Sequence, residues 1–178
     1  MGSASSDLAA LDDELIEAAA DDDVDALLSA LDKGANVNHL PAEETTHAGM
    51  TPLMVAVQED SVSCVRALLV QRHVEIHRAD KWGFTPCHLA AHWDRASCLE
   101  ALLEAGADAT RRAKGGLTAA HVAADRDNLA ALRVLHSALG AAVTDLRDDR
   151  GKSPYDVAAE RGADACVALL EHGDGTSV

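Results

Sequence analysis

The stretch Asp80-Lys81-Trp82-Gly83-Phe84-Thr85-Pro86-Cys87-His88-Leu89-Ala90-Ala91 decides the fold, because its centre returns along the chain. Thr85-Pro86-Cys87-His88 is echoed by Thr51-Pro52-Leu53, Thr118-Ala119-Ala120-His121 and Ser153-Pro154-Tyr155, at steps of 34, 33 and 35 residues. A period of that size marks a stacked solenoid, in which each unit supplies one slice of a continuous core. In each of these units a Thr or Ser stands where an N-cap belongs, and three of the chain's four prolines follow it at the first helical position. An Ala pair or its variant comes next (Ala18-Ala19, Ala56-Val57, Ala90-Ala91, Ala123-Ala124, Ala158-Ala159), small enough to let neighbouring helices approach closely. A second helix then carries apolar residues at helical spacing, as in Cys98-Leu99 followed by Leu102-Leu103. Gly34, Gly106 and Gly173 are placed to cap the ends of such helices.

Bulk properties narrow the function. Hydrophobic content is 48%, yet there are only two Trp, one Tyr and one Phe, so Ala, Leu and Val must build the core. Thirty acidic against 15 basic residues give a net charge of −15, which argues against nonspecific attraction to nucleic acid or anionic lipid. The charge is uneven: residues 1–38 hold ten carboxylates and only Lys33, whereas the remainder holds twenty against fourteen cations. No apolar run approaches the roughly 20 residues of a membrane span, and Met1-Gly2-Ser3-Ala4-Ser5-Ser6 lacks the features of a secretory signal. A cytoplasmic protein is the expectation, with the nucleus or the inner membrane surface as alternatives. Cys64, Cys98 and Cys166 occupy one equivalent repeat position, and equivalent positions of neighbouring repeats lie about 8–10 Å apart in a helical stack. That exceeds the roughly 4.4–6.8 Å between the Cα atoms of a disulfide. They read as small core hydrophobes, as does Cys87.

The stretch from Asp80 to Ala91, continued by Leu102-Leu103-Glu104-Ala105-Gly106-Ala107-Asp108, closely resembles an ankyrin repeat. The resemblance covers residues 12–173 as five repeats at 12–38, 46–79, 80–112, 113–147 and 148–173. It implies an all-α solenoid of paired antiparallel helices linked by β-turn fingers. The first repeat is acidic and lacks the Thr-Pro start, as a solvent-facing end cap would be, and the last is a shortened cap. The loop at 39–48 is about five residues longer than the family spacing and is expected to protrude. Residues 1–11 and 174–178 read as polar tails.

The family's concave face, formed by turn tips and the exposed ends of first helices, implies where a partner would bind. Carried onto this sequence, it selects Lys81, Trp82, Phe84, His92 and Trp93 in the third repeat. Three of the four aromatics thus fall within a short span, at positions the core does not require. Met50, Gln58 and Glu59 flank them on the N-terminal side; Lys114, Leu117, Asp125, Arg126, Arg150, Lys152, Glu160 and Arg161 lie on the C-terminal side. The more cationic second flank points to a protein or peptide ligand with apolar anchors and acidic neighbours. No cofactor and no nucleic-acid partner is implied. The charge of −15 favours a monomer, against which stands only the exposed aromatic patch.

The same residues carry little sign of metal or catalytic chemistry. His88 and His92 are four apart beside Cys87, but zinc needs about four converging ligands. His88, like His121, matches the family histidine that hydrogen-bonds between neighbouring turns. Ser153 in Lys152-Ser153-Pro154 matches the buried N-cap. The sequence holds no phosphate loop and no nucleophile elbow, and an enzyme is not expected. Gly2 with Ser6 fits a myristoylation acceptor, which sets a membrane-tethered scaffold beside the interaction module as the alternative function. A single acyl chain binds weakly, and this end is acidic. Thr176 and Val178 fit a PDZ-type C-terminal ligand.

Overall fold

A computed structural model describes residues 3–42 and 46–172, with side chains from residue 7 onward. Among them are eleven α-helices and no strand. Five pairs form the frame: α1 (Ser3–Ala20) with α2 (Val24–Asp32), α3 (Pro52–Gln58) with α4 (Val62–Leu69), α5 (Pro86–His92) with α6 (Ala96–Glu104), α7 (Ala119–Asp125) with α8 (Leu129–Leu139), and α10 (Pro154–Arg161) with α11 (Asp164–His172). A four-residue helix, α9 (Ala142–Asp145), and a 3-10 turn (Lys114–Gly116) complete the set. The first helices stack in the order α1, α3, α5, α7, α10, and the second helices in the order α2, α4, α6, α8, α11. The result is an all-α solenoid.

Local chemistry explains each start. Thr51 is extended at φ −73° and ψ 161°, its hydroxyl oxygen accepts the Met54 N–H, and Pro52 opens α3. Ser153 does the same for α10, with Pro154 behind it and Asp156 returning a carboxylate to the Ser153 N–H. Thr85 and Thr118 make the corresponding capping boxes with His88 and His121.

The inner first helices, α3, α5 and α7, are almost wholly apolar because each is packed between two neighbouring first helices. Every residue from Pro52 to Val57 is buried, and Ala56, Ala90, Ala91, Ala123 and Ala124 have no exposed surface. Leu27, Leu68, Leu99, Leu102, Leu132 and Leu135 fill the space between the two helical layers. Each such leucine contributes about 1.5–3 kcal/mol of transfer free energy.

The four cysteines are all free and buried. Cys64 Sγ lies 3.4 Å from the Ala18 carbonyl, Cys98 Sγ 3.5 Å from Asp60 Oδ1 and Cys166 Sγ 3.4 Å from Asp127 Oδ1. The aspartates belong to a series, Asp22, Asp60, Asp94 and Asp127, each in the left-handed backbone region between the helices of a pair. Asp22 and Asp94 use their carboxylates to accept the Cys64 and Ala131 N–H groups of the next repeat. One residue thus makes the turn and ties two repeats together.

Two expectations need correction. Residues 3–11 are not a tail: they are the first half of α1, and Leu11 packs against the core. The described part of the 39–48 loop does not simply protrude. Pro41 is buried and its carbonyl accepts the Gly49 N–H at 3.3 Å, while His39 Nδ1 lies 3.2 Å from Asp12 Oδ2. The described start of the loop is thus tied to α1 through His39.

Candidate functional site

The fingers are built by a short carboxylate relay. Asp80 Oδ1 accepts the N–H groups of Trp82 and Phe84, both at 2.8 Å, and the Asp80 N–H donates to the Phe84 carbonyl at 2.9 Å. Asp148, only 4% exposed, repeats the pattern by accepting the Arg150 and Lys152 N–H groups. Adjacent fingers are linked through backbone: the Lys114 N–H donates to the Trp82 carbonyl at 3.0 Å and the Asp149 N–H to Gly115 at 2.9 Å. Gly83 sits in the left-handed region at φ +83°, where an added Cβ would come 3.1 Å from Ala113 Cα. The close approach of the two fingers therefore needs glycine.

The turns are also clamped by histidine. The Thr85 N–H donates to His88 Nδ1 at 3.2 Å, which leaves Nε2–H to donate to the Leu117 carbonyl at 3.0 Å. His121 repeats this with Thr118 and the Lys152 carbonyl. Burial holds both imidazoles below their ordinary value, against the opposing pull of those carbonyls. Both ring nitrogens of each are engaged by the protein.

On this frame lies a cavity of about 700 Å³. Finger residues Asp80, Lys81, Trp82 and Phe84 form one wall, and Leu89, His92 and Trp93 of α5 and its C-cap form the floor. Met50 and Gln58 close it on the N-terminal side and Lys114 on the other. Trp82 is 56% exposed and Trp93 47%. Phe84 is half-buried, stacked on His88 with centroids 5.4 Å apart, and tilted toward His92 at 6.2 Å. His92 meets Trp93 edge-on at 4.9 Å. Burial lowers the His92 pKa, Arg126 lowers it further, and Asp125 opposes them.

Eight residues selected from the sequence therefore share one cavity: Met50, Gln58, Lys81, Trp82, Phe84, His92, Trp93 and Lys114. The other selected residues do not line it. Glu59 is exposed and accepts from Gln58 Nε2, and Arg126 is exposed at the C-cap of α7. Leu117 is half-buried against the core, where its carbonyl serves His88. Arg150 is occupied with Asp148, its Nε 3.1 Å from Oδ2. The cationic flank is largely neutralised: Arg161 pairs with Asp125 at 2.7 Å, Lys152 with Glu160 at 2.5 Å and Arg112 with Asp149 at 2.7 Å. Sequence reasoning missed Thr46, Ala48 and Gly49, which border the cavity from the long loop. Gly2, Thr176 and Val178 lie outside the described residues.

A family profile described as ankyrin repeats (3 copies) matches residues 15–113, more than half of the chain. The chain belongs to the ankyrin repeat family. A second profile, ankyrin repeats (many copies), matches residues 102–158. No curated protein matches the chain. Ankyrin repeats are generally protein–protein interaction modules and typically non-enzymatic. Among the described residues of this ankyrin protein, no helix is long and apolar enough to cross a membrane.

Proposed function

We propose that this ankyrin repeat chain is a non-enzymatic binding module that holds a protein segment in the cavity spanning its second, third and fourth repeats. One observation carries the reading: both of its tryptophans, Trp82 and Trp93, stand about half exposed at the same cavity. Large aromatics left in water beside a concave opening are the residues that most often supply binding energy, since each offers a wide apolar face with one polar handle. The clamps beneath them, Asp80 on the finger backbone and His88 between fingers, hold the surface before any partner arrives. Little ordering entropy is then lost by this side on binding. Such a module serves as an adaptor, an inhibitor or a subunit.

The test is affinity capture from native cell extract with wild type and with the Trp82→Ala/Trp93→Ala double variant, after both are shown to be folded. A protein held by wild type and lost from the variant supports the reading. Equal capture by both moves the interface away from the cavity.

A further inference from the structure

An aromatic-lined cavity suits two opposite kinds of occupant: an apolar side chain, or a cation that rests on the ring faces. We infer that the cavity takes an apolar side chain flanked by carboxylates, and rejects a cationic one. This rests on the binding reading above and adds the chemistry of the ligand.

The charges at the rim decide between the two. Lys81 Nζ already stands 4.4 Å from the centroid of the Trp82 ring, so a ring face that would attract a cation is covered by one. Lys114, from the next finger, adds a second positive charge at the opening. Among the described residues Asp80 is the single carboxylate in the lining, and its Oδ1 accepts the two finger N–H groups. Lys114 makes no ion pair among the described residues, unlike Arg112, Arg150, Lys152 and Arg161 on the same flank. A cationic ligand would meet the Lys81 and Lys114 ammonium groups at the opening, where like charges repel. A carboxylate beside an apolar anchor would meet them favourably. The described lining thus sets two ammonium groups, Lys81 and Lys114, against one carboxylate in a chain of net charge −15.

The experiment is selection of a phage-displayed library of random 12-residue peptides on the wild-type protein, with the Trp82→Ala/Trp93→Ala variant as counter-selection. Both variants used here are first checked for native helicity by circular dichroism. Enriched peptides are expected to carry Leu, Phe or Trp with Asp or Glu within four residues. Synthesised, they should shift the fluorescence of the two tryptophans and lose about tenfold in affinity on Lys81→Glu/Lys114→Glu. Enrichment of Lys- or Arg-rich or uncharged peptides, or indifference to the Lys81→Glu/Lys114→Glu change, overturns the ligand chemistry while leaving the cavity as the binding site. Failure of any peptide to distinguish wild type from the tryptophan variant overturns the binding reading itself.

Discussion

Lys81 Nζ lies 4.4 Å from the Trp82 ring centroid, so the most exposed aromatic of the protein is partnered by a cation from its own finger. Neither side chain is needed to hold the finger. That task falls to Asp80, whose Oδ1 accepts the Trp82 and Phe84 N–H groups, and to Gly83, whose missing Cβ lets the next finger approach. The cavity wall is therefore rigid in its backbone and open in its side chains, the division of labour a binding surface requires.

Replacing Trp82 by Ala is expected to change unfolding free energy by no more than about 1 kcal/mol, as surface substitutions usually do. Urea denaturation followed by circular dichroism measures it. A loss of several kcal/mol would mean that the ring is part of the core despite its 56% exposure.

Ala90→Asp should behave in the opposite way. Ala90 has no exposed surface and lies in α5 between the helices of adjacent repeats, so the new carboxylate would be cut off from solvent. A destabilisation of at least about 3 kcal/mol is expected from burying an unpaired charge. A variant with a wild-type urea midpoint would contradict the packing of α5.

Stability should fall on mild acidification. His88 and His121 are held below the ordinary imidazole value of 6.5 by burial, in the tautomer that accepts at Nδ1 and donates from Nε2. The unfolded chain therefore binds protons first as pH drops. The contribution of the neutral rings is complete above about pH 6.5 and is lost as pH falls through their lowered folded values. Thermal midpoints should be level between about pH 7 and 8 and decline below about pH 6.5. A midpoint that stays level down to about pH 5.5 would contradict the histidine clamps.

The cysteines should be inert while the protein is folded. Burial, foremost, pushes all four thiols up to about 12, with Asp22, Asp60 and Asp127 adding to the effect at Cys64, Cys98 and Cys166, and Asp108 at Cys87. Only the thiolate reacts readily. A disulfide-exchange reagent at about pH 8 is expected to modify them slowly in buffer and all four rapidly in urea. Fast reaction of any one in the folded protein would show that its site opens.

The helix starts were legible because their cause is local: a Thr or Ser cap, a proline behind it and a small pair one turn on all sit within one short segment. The aromatics of the third repeat were legible for a related reason, since a core of Ala and Leu has no place for Trp82 or Trp93. The loop was not legible. Thr46, Ala48 and Gly49 reach the cavity because Pro41 is buried and its carbonyl takes the Gly49 N–H, a tertiary arrangement with no period behind it. Leu117 and Arg150 were selected by repeat position, but a neighbour's demands claim them: the Leu117 carbonyl serves His88 and the Arg150 guanidinium serves Asp148. The early start of α1 did have a signal, the spacing of Leu8, Leu11 and Leu15, which lies on one helical face.

The most direct test of the account is the intrinsic fluorescence of the protein during titration with the segment of a captured partner. The two tryptophans are the only ones in the chain and both line the cavity, so the signal reports that site. A saturable blue shift, with a midpoint matching the affinity measured by calorimetry, is the predicted result, as Trp82 and Trp93 leave water. Calorimetric binding with no change in tryptophan emission would contradict the account and place the partner elsewhere on the solenoid.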